Sequence, residues 1–181
     1  MRFITAALLA ASVFGATAAQ AEMKLTSKDL TPGKAMADAQ VFNGFGCSGK
    51  NVSPELTWSG APQGTKSFAI MAYDPDAPTG SGWWHWSVFN IPANASEIAT
   101  GASGDKKLPV GTIEGHTDFG TSGYGGACPP AGDKPHHYQF TAYALSVDKL
   151  PLPDTAPAAM LGFYVRANTL DKASVEVTYG R

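Results

Sequence analysis

The chain has 181 residues, 44% of them hydrophobic, and carries 13 lysines and arginines against 15 aspartates and glutamates, for a net charge of −2. This acidic balance, with no basic stripe anywhere along the chain, excludes a nucleic-acid binder. Twenty glycines and 13 prolines suit many short strands joined by shaped loops rather than a helical bundle.

The first residues read as a secretory signal peptide. Met1-Arg2 is a short positive start, Phe3 to Phe14 is mostly apolar, and Ala19-Gln20-Ala21 is a small-residue cleavage pattern before Glu22. The apolar run is too short to cross a bilayer, and no later segment is long and apolar enough. The expectation is a leader over residues 1–21 and one mature domain over 22–181, periplasmic or secreted, without a transmembrane anchor. Loss of Arg2 would bring the mature net charge to about −3.

Gly44 to Gly49 (GFGCSG) satisfies G-x-G-x-x-G, but Asn51-Val52-Ser53-Pro54 is no helix start, so a shaped loop is expected in place of a dinucleotide site. Cys47 within this loop and Cys128 in GYGGACPP are the two cysteines. Export favours joining them, and a bridge closing so long a loop would contribute about 3–5 kcal/mol. Two buried thiols are the alternative, which a thiol count decides.

Lys66 to Tyr73 (KSFAIMAY) is a buried-strand candidate ending at the DPDAP loop, because Pro75 and Pro78 cannot continue an interior strand. Trp84 to Ile91 (WHWSVFNI) is a second, ended by Pro92. Gly101 to Gly126 shows little apolar periodicity and its structure stays open. His137 to Leu145 (HYQFTAYAL) puts Tyr138, Phe140, Ala142 and Ala144 on one face and His137, Gln139, Thr141 and Tyr143 on the other. Ala156 to Leu170 predicts a helix, with Thr155 as cap and Pro157 in the first turn. Ser174 to Tyr179 alternates again as a strand.

The residues that carry chemistry are Asp74, Asp76, His85 and the pair His136-His137. Asp74 and Asp76 flank Pro75 at a strand end. Turn-capping is the plain reading of both, as likely as function for Asp76 and less so for Asp74. A carboxylate near His85 would favour its imidazolium, and the glycines of Gly123 to Pro130 would let backbone N–H groups approach an anion. The chain has no G-x-S-x-G, no H-E-x-x-H and no phosphate-binding loop. Nothing in it calls for a cofactor or a metal.

DPDAP at Asp74 to Pro78, the tryptophan-framed His85, GYGGACPP at Gly123 to Pro130 and PHHY at Pro135 to Tyr138, with NVSPELTW at Asn51 to Trp58, resemble the phosphatidylethanolamine-binding protein (PEBP) family. The match is closest to its bacterial Raf-kinase-inhibitor-like branch of the YbhB/YbcL type and its exported members, and covers the chain from about Leu25 onward. The resemblance implies a mainly β fold, an antiparallel β-sandwich-like core with few helices, and a small pocket for phosphate, phosphorylated headgroups and similar anions. Carried over by motif, the ligand-binding residues are Asp74, Asp76, His85, Gly126, Pro129, Pro130, His136 and Tyr138. His137 takes a variable position outside the pocket. The C-terminal tail of eukaryotic relatives has no clear counterpart after Tyr179, and His116, in no family motif, is expected exposed.

The expected function is binding of a small anionic or phosphorylated ligand, with modulation of a protein partner and, as in bacterial relatives, a homodimer. Two readings from other classes stay open. One is a kinase or protease inhibitor acting through its surface. The other is a phosphoester or peptide hydrolase using the Asp/His cluster, although no nucleophile stands beside a base.

Overall fold

The computed structural model describes residues 22–105 and 107–181. The expected leader over 1–21 lies outside the described residues. The chain is mainly β, with one helix near the C-terminus. In chain order the elements are β1 (Lys24–Thr26), β2 (Asn43–Gly44), β3 (Cys47–Ser48), β4 (Leu56–Ser59), β5 (Ser67–Asp74), β6 (Trp83–Pro92), β7 (Glu97–Ile98), β8 (Ile113–Glu114), β9 (His136–Leu145), α1 (Ala158–Asn168) and β10 (Thr169–Tyr179).

Two antiparallel sheets and a hairpin result. The large sheet has the order β10-β9-β5-β6-β8 and the small one β1-β4-β7, while β2 and β3 pair alone. Between the sheets Leu25, Leu56 and Trp58 pack against Phe68, Ile70, Phe140, Ala142 and Val177. On the opposite face of the large sheet, Leu161 and Val165 of α1 pack with Ala69, Met71, Phe89 and Leu145. The central strand β5 is therefore covered on both sides, which is why SFAIMAYD is an almost unbroken apolar run instead of an alternating one. β9 does alternate: Tyr138, Phe140, Ala142 and Ala144 are all buried.

Four expectations need correcting. The helix starts at Ala158 without a side-chain cap, and Pro157, not Thr155, holds the cap position. Its carbonyl accepts from the Leu161 N–H, so the first turn is satisfied from the backbone. The helix also ends two residues early. Leu170 belongs to β10, because Thr169 already pairs with Leu145 of β9 while its hydroxyl caps the Val165 carbonyl at 2.7 Å. Helix passes into strand with no loop, and β10 begins well before Ser174. His116, finally, is half-buried in bridges to Ser122 and Pro157.

The G-x-G-x-x-G segment is the β2–β3 hairpin. Phe45 (φ 53°) and Gly46 (φ 85°) both take positive φ, the requirement of a type I′ two-residue turn. This turn holds the Phe45 ring out at 69% exposure. Just behind it Cys47 is joined to Cys128 across 81 residues of sequence.

Candidate functional site

The antiparallel registers bring three strand ends to one corner of the large sheet. β5 ends in Asp74 opposite Trp83 of β6, and Tyr73 lies opposite Gln139 of β9. His85 of β6, and His136 and Tyr138 of β9, thereby converge on Asp74 around a cavity of about 140 Å³. At liquid density that is room for roughly four or five waters. Ala77, Pro78 and Thr79 of the DPDAP loop form one wall, Cys128, Pro129 and Pro130 another, and Phe45, Trp83 and Phe119 an aromatic rim.

Asp74 organises the floor. It is 3% exposed, and Pro75 after it has no N–H to close the turn. The carboxylate does so instead: Oδ1 accepts from the N–H of Asp76 at 2.8 Å and of Ala77 at 3.1 Å, an Asx turn. Oδ2 accepts from Nδ1 of buried His136 at 2.8 Å. Asp74 is thus both a turn residue and a histidine partner. Three donated bonds make burial of its charge tolerable.

His85 is held differently. Its Nδ1–H donates to the Gly125 carbonyl at 2.8 Å, and its ring meets Tyr138 and Phe119 edge-on, with centroids 5.2 and 5.5 Å away. Burial pushes its pKa below the ordinary histidine value, with the Gly125 carbonyl and the Asp74 charge opposing only in part. The carboxylate expected to make this ring cationic is bonded to His136, so His85 is a neutral imidazole whose Nδ1 proton is fixed by a carbonyl. Tyr138 is 2% exposed, and its hydroxyl makes no hydrogen bond of ordinary geometry but lies close to the Asp74 carboxylate. Burial first, and then Asp74, raise its pKa.

Of the eight residues carried over by motif, Asp74, His85, Pro129, Pro130, His136 and Tyr138 line the cavity; Asp76 and Gly126 do not. Asp76 turns to the outer face of β9, where Oδ2 accepts from the N–H of His137 at 2.8 Å and from its Nδ1 at 2.7 Å. Gly126 gives its N–H to Asn51 Oδ1 at 2.7 Å, while Tyr124 N–H goes to Ser103 and Gly125 N–H to His85 O. These loop amides serve the protein, not an anion. A glycine is needed at 126 because a Cβ there would run into the Gln40 carbonyl and the Phe42 amide.

Sequence reasoning missed the aromatic rim and Arg181. The guanidinium of Arg181 donates to the carbonyls of Pro129 (2.8 Å), Gly46 (3.1 Å) and Phe45 (3.2 Å), bracing the disulfide-linked loops behind the pocket. No local motif marks it. The rim could have been suspected from the Phe42-Asn43-Gly44-Phe45 and Trp83-Trp84 clusters, but Phe119 arrives from a loop with no periodicity. Among the described residues, no three His, Cys, Asp or Glu side chains are grouped so as to hold a metal ion.

Residues 26–180 of this antiparallel fold match one family, the phosphatidylethanolamine-binding proteins. The chain belongs to it. It is 48% identical to the UPF0098 protein YbcL of Escherichia coli K12 over 97% of this chain and 96% of that one. Against YbhB of the same strain the identity is 46%, over 87% of this chain and 99% of the relative. The crystal structure of E. coli YbcL, described as a new member of the mammalian PEBP family, superposes with a TM-score of 0.87 at 50% identity, covering 89% of this chain and 99% of that one.

Proposed function

We propose that this protein is exported and binds a small anionic or phosphorylated ligand in the Asp74–His136 pocket, and that ligand occupancy modulates a protein partner. The observation that carries the binding reading is the gathering of four buried side chains with polar groups, Asp74, His85, His136 and Tyr138, around one preformed cavity. The Tyr138 hydroxyl makes no hydrogen bond of ordinary geometry but lies near enough to the Asp74 carboxylate for it, after burial, to raise the phenol's pKa, and His85 spends Nδ1 on the Gly125 carbonyl. Burying several polar groups in one corner costs stability, so their concentration at the Asp74–His136 pair favours a site over a core. The N-terminal run with its Ala19-Gln20-Ala21 pattern supports export, and partner modulation rests on the resemblance stated above.

Calorimetric titration of residues 22–181 with inorganic phosphate at pH 6, beside His136→Ala, tests the binding. Saturable heat that is lost in the variant is the expected result, and no heat for the parent protein would sink the reading. For export, N-terminal sequencing of the periplasmic fraction should find Glu22 first.

A further inference from the structure

A second concavity lies on the face of the large sheet that α1 covers, away from the core between the sheets. It is a trough of about 810 Å³, within the roughly 300–1,000 Å³ of small-molecule sites. Its floor takes one residue from each of four neighbouring strands, Trp84 of β6, Met71 of β5, Tyr143 of β9 and Lys172 of β10. Strands stand about 4.8 Å apart, so the trough crosses about 14 Å of sheet. Ala159, Gly162, Phe163 and Arg166 of α1 form one wall, brought to one side by their helical spacing.

The trough is apolar at one end and cationic at the other. Over β5 and β6 it meets Met71 and Trp84, and Phe163 holds its ring 72% exposed beside it. No aspartate or glutamate lines it among the described residues, and neither Arg166 nor Lys172 enters an ion pair among them. Both cations flank Tyr143: Lys172 is its cross-strand partner, and Arg166 is close enough to oppose the rise that burial gives the Tyr143 pKa. A helix C-terminus attracts a cation on its own account, which accounts for Arg166 in the last turn of α1 but not for Lys172 in β10. Glycine weakens a helix interior relative to alanine, yet a Cβ at Gly162 would only touch the Met71 methyl at 3.8 Å. Packing does not demand this glycine, and it leaves the floor open. We propose that the trough binds a single-chain anionic amphiphile, with the alkyl chain over Met71 and Trp84 and a carboxylate head between Arg166 and Lys172. A guanidinium can donate two parallel bonds to a carboxylate. A membrane surface would meet Phe163 and the exposed Met160 but would not reach Met71, which is 2% exposed on the floor.

Calorimetric titration of the purified protein with octanoate, decanoate and decyltrimethylammonium, each below its micelle concentration, tests this. Decanoate should bind about fourfold tighter than octanoate if half the surface of the two added methylenes is buried, and about fifteenfold tighter if all of it is. The cationic chain should bind at least about tenfold more weakly than decanoate, having lost the charged hydrogen bonds. Gly162→Leu, which helix propensity favours, should keep or raise the urea midpoint, fill the trough and weaken decanoate at least about tenfold. Arg166→Gln combined with Lys172→Gln, on two exposed side chains, should abolish the preference for the anion and keep the dependence on chain length. Equal binding of the anionic and cationic chains, decanoate binding unchanged in Gly162→Leu, or no decanoate binding overturns the inference. So does binding to anionic vesicles without binding to decanoate, which would make this face a membrane surface. Displacement of decanoate by inorganic phosphate would place it in the Asp74–His136 cavity and overturn the inference too. Otherwise the two sites stand or fall separately, because phosphate binding does not involve the trough.

Discussion

Two neighbouring Asp–His pairs, built from the same loop and the same strand, behave in opposite ways. Asp74–His136 closes at 2.8 Å with side chains 4% and 3% exposed, and Asp76–His137 at 2.7 Å with side chains 25% and 48% exposed. Their contact geometry is nearly the same. What separates them is the two-residue period of β9, which sends His136 into the corner between the sheets and His137 out to water. The inner pair gives the pocket its floor. The outer pair ties the DPDAP loop to the strand in a medium that screens it.

The sharpest way to break this contrast is to remove one acid from each pair. Asp74→Ala strips the inner His136 of its partner and leaves the Asp76 and Ala77 amides without their acceptor. Loss of one member of a buried pair costs about 3–5 kcal/mol, and urea unfolding should show that loss together with failure to bind phosphate. Asp76→Ala should shift the urea midpoint far less and leave phosphate affinity unchanged. Equal losses in the two variants would mean that burial is not what distinguishes the pairs.

A smaller effect should come from Tyr138→Phe. The substitution removes a buried hydroxyl that makes no hydrogen bond of ordinary geometry and keeps the ring against His85. Stability should hold or rise by up to about 1 kcal/mol, while phosphate affinity falls at least about tenfold, the value of a hydrogen bond to a charged group. A variant that binds phosphate as well as the parent would take Tyr138 out of the site. Stability and binding move in opposite directions only if the hydroxyl is kept for a ligand.

The parts of this arrangement legible in the sequence are those written in local period. Alternation in HYQFTAYAL separated Tyr138 from His137, and Pro75 and Pro78 marked the end of β5. The mainly β class followed from the same signals. Strands of two to four residues such as β1, β4 and β7 carry too few positions for a period to show. The hydrogen bonds that decide roles were also out of reach, because they span the chain. His85 is tied to Gly125, 40 residues away, and Asp74 to His136, 62 away. Sequence proximity suggested that a carboxylate would charge His85. In the folded chain His136 takes that carboxylate, and a carbonyl sets the tautomer of His85. Gly126 was legible as a glycine that something must approach closely, but not that a neighbouring segment of backbone would be what approaches.

The smallest effect belongs to His137→Ala, and its pH dependence is what identifies it. The bond to Asp76 raises the His137 pKa above 6.5, with Glu176 reinforcing and Lys134 opposing; the same bond holds Asp76 below 3.8. A histidine with a raised folded pKa contributes stability that is complete below its unfolded value and disappears as pH rises through the folded one. A carboxylate with a lowered folded pKa contributes stability that is complete above its unfolded value and disappears as pH falls through the folded one. The outer pair should therefore stabilise most between about pH 4 and pH 6.5. The difference in urea midpoint between the parent and His137→Ala should peak in that window, fade by pH 9 and shrink in 1 M salt. A difference that stays constant across pH and salt would show the pair acting through packing, and the contrast with the inner pair would then be one of position without one of charge.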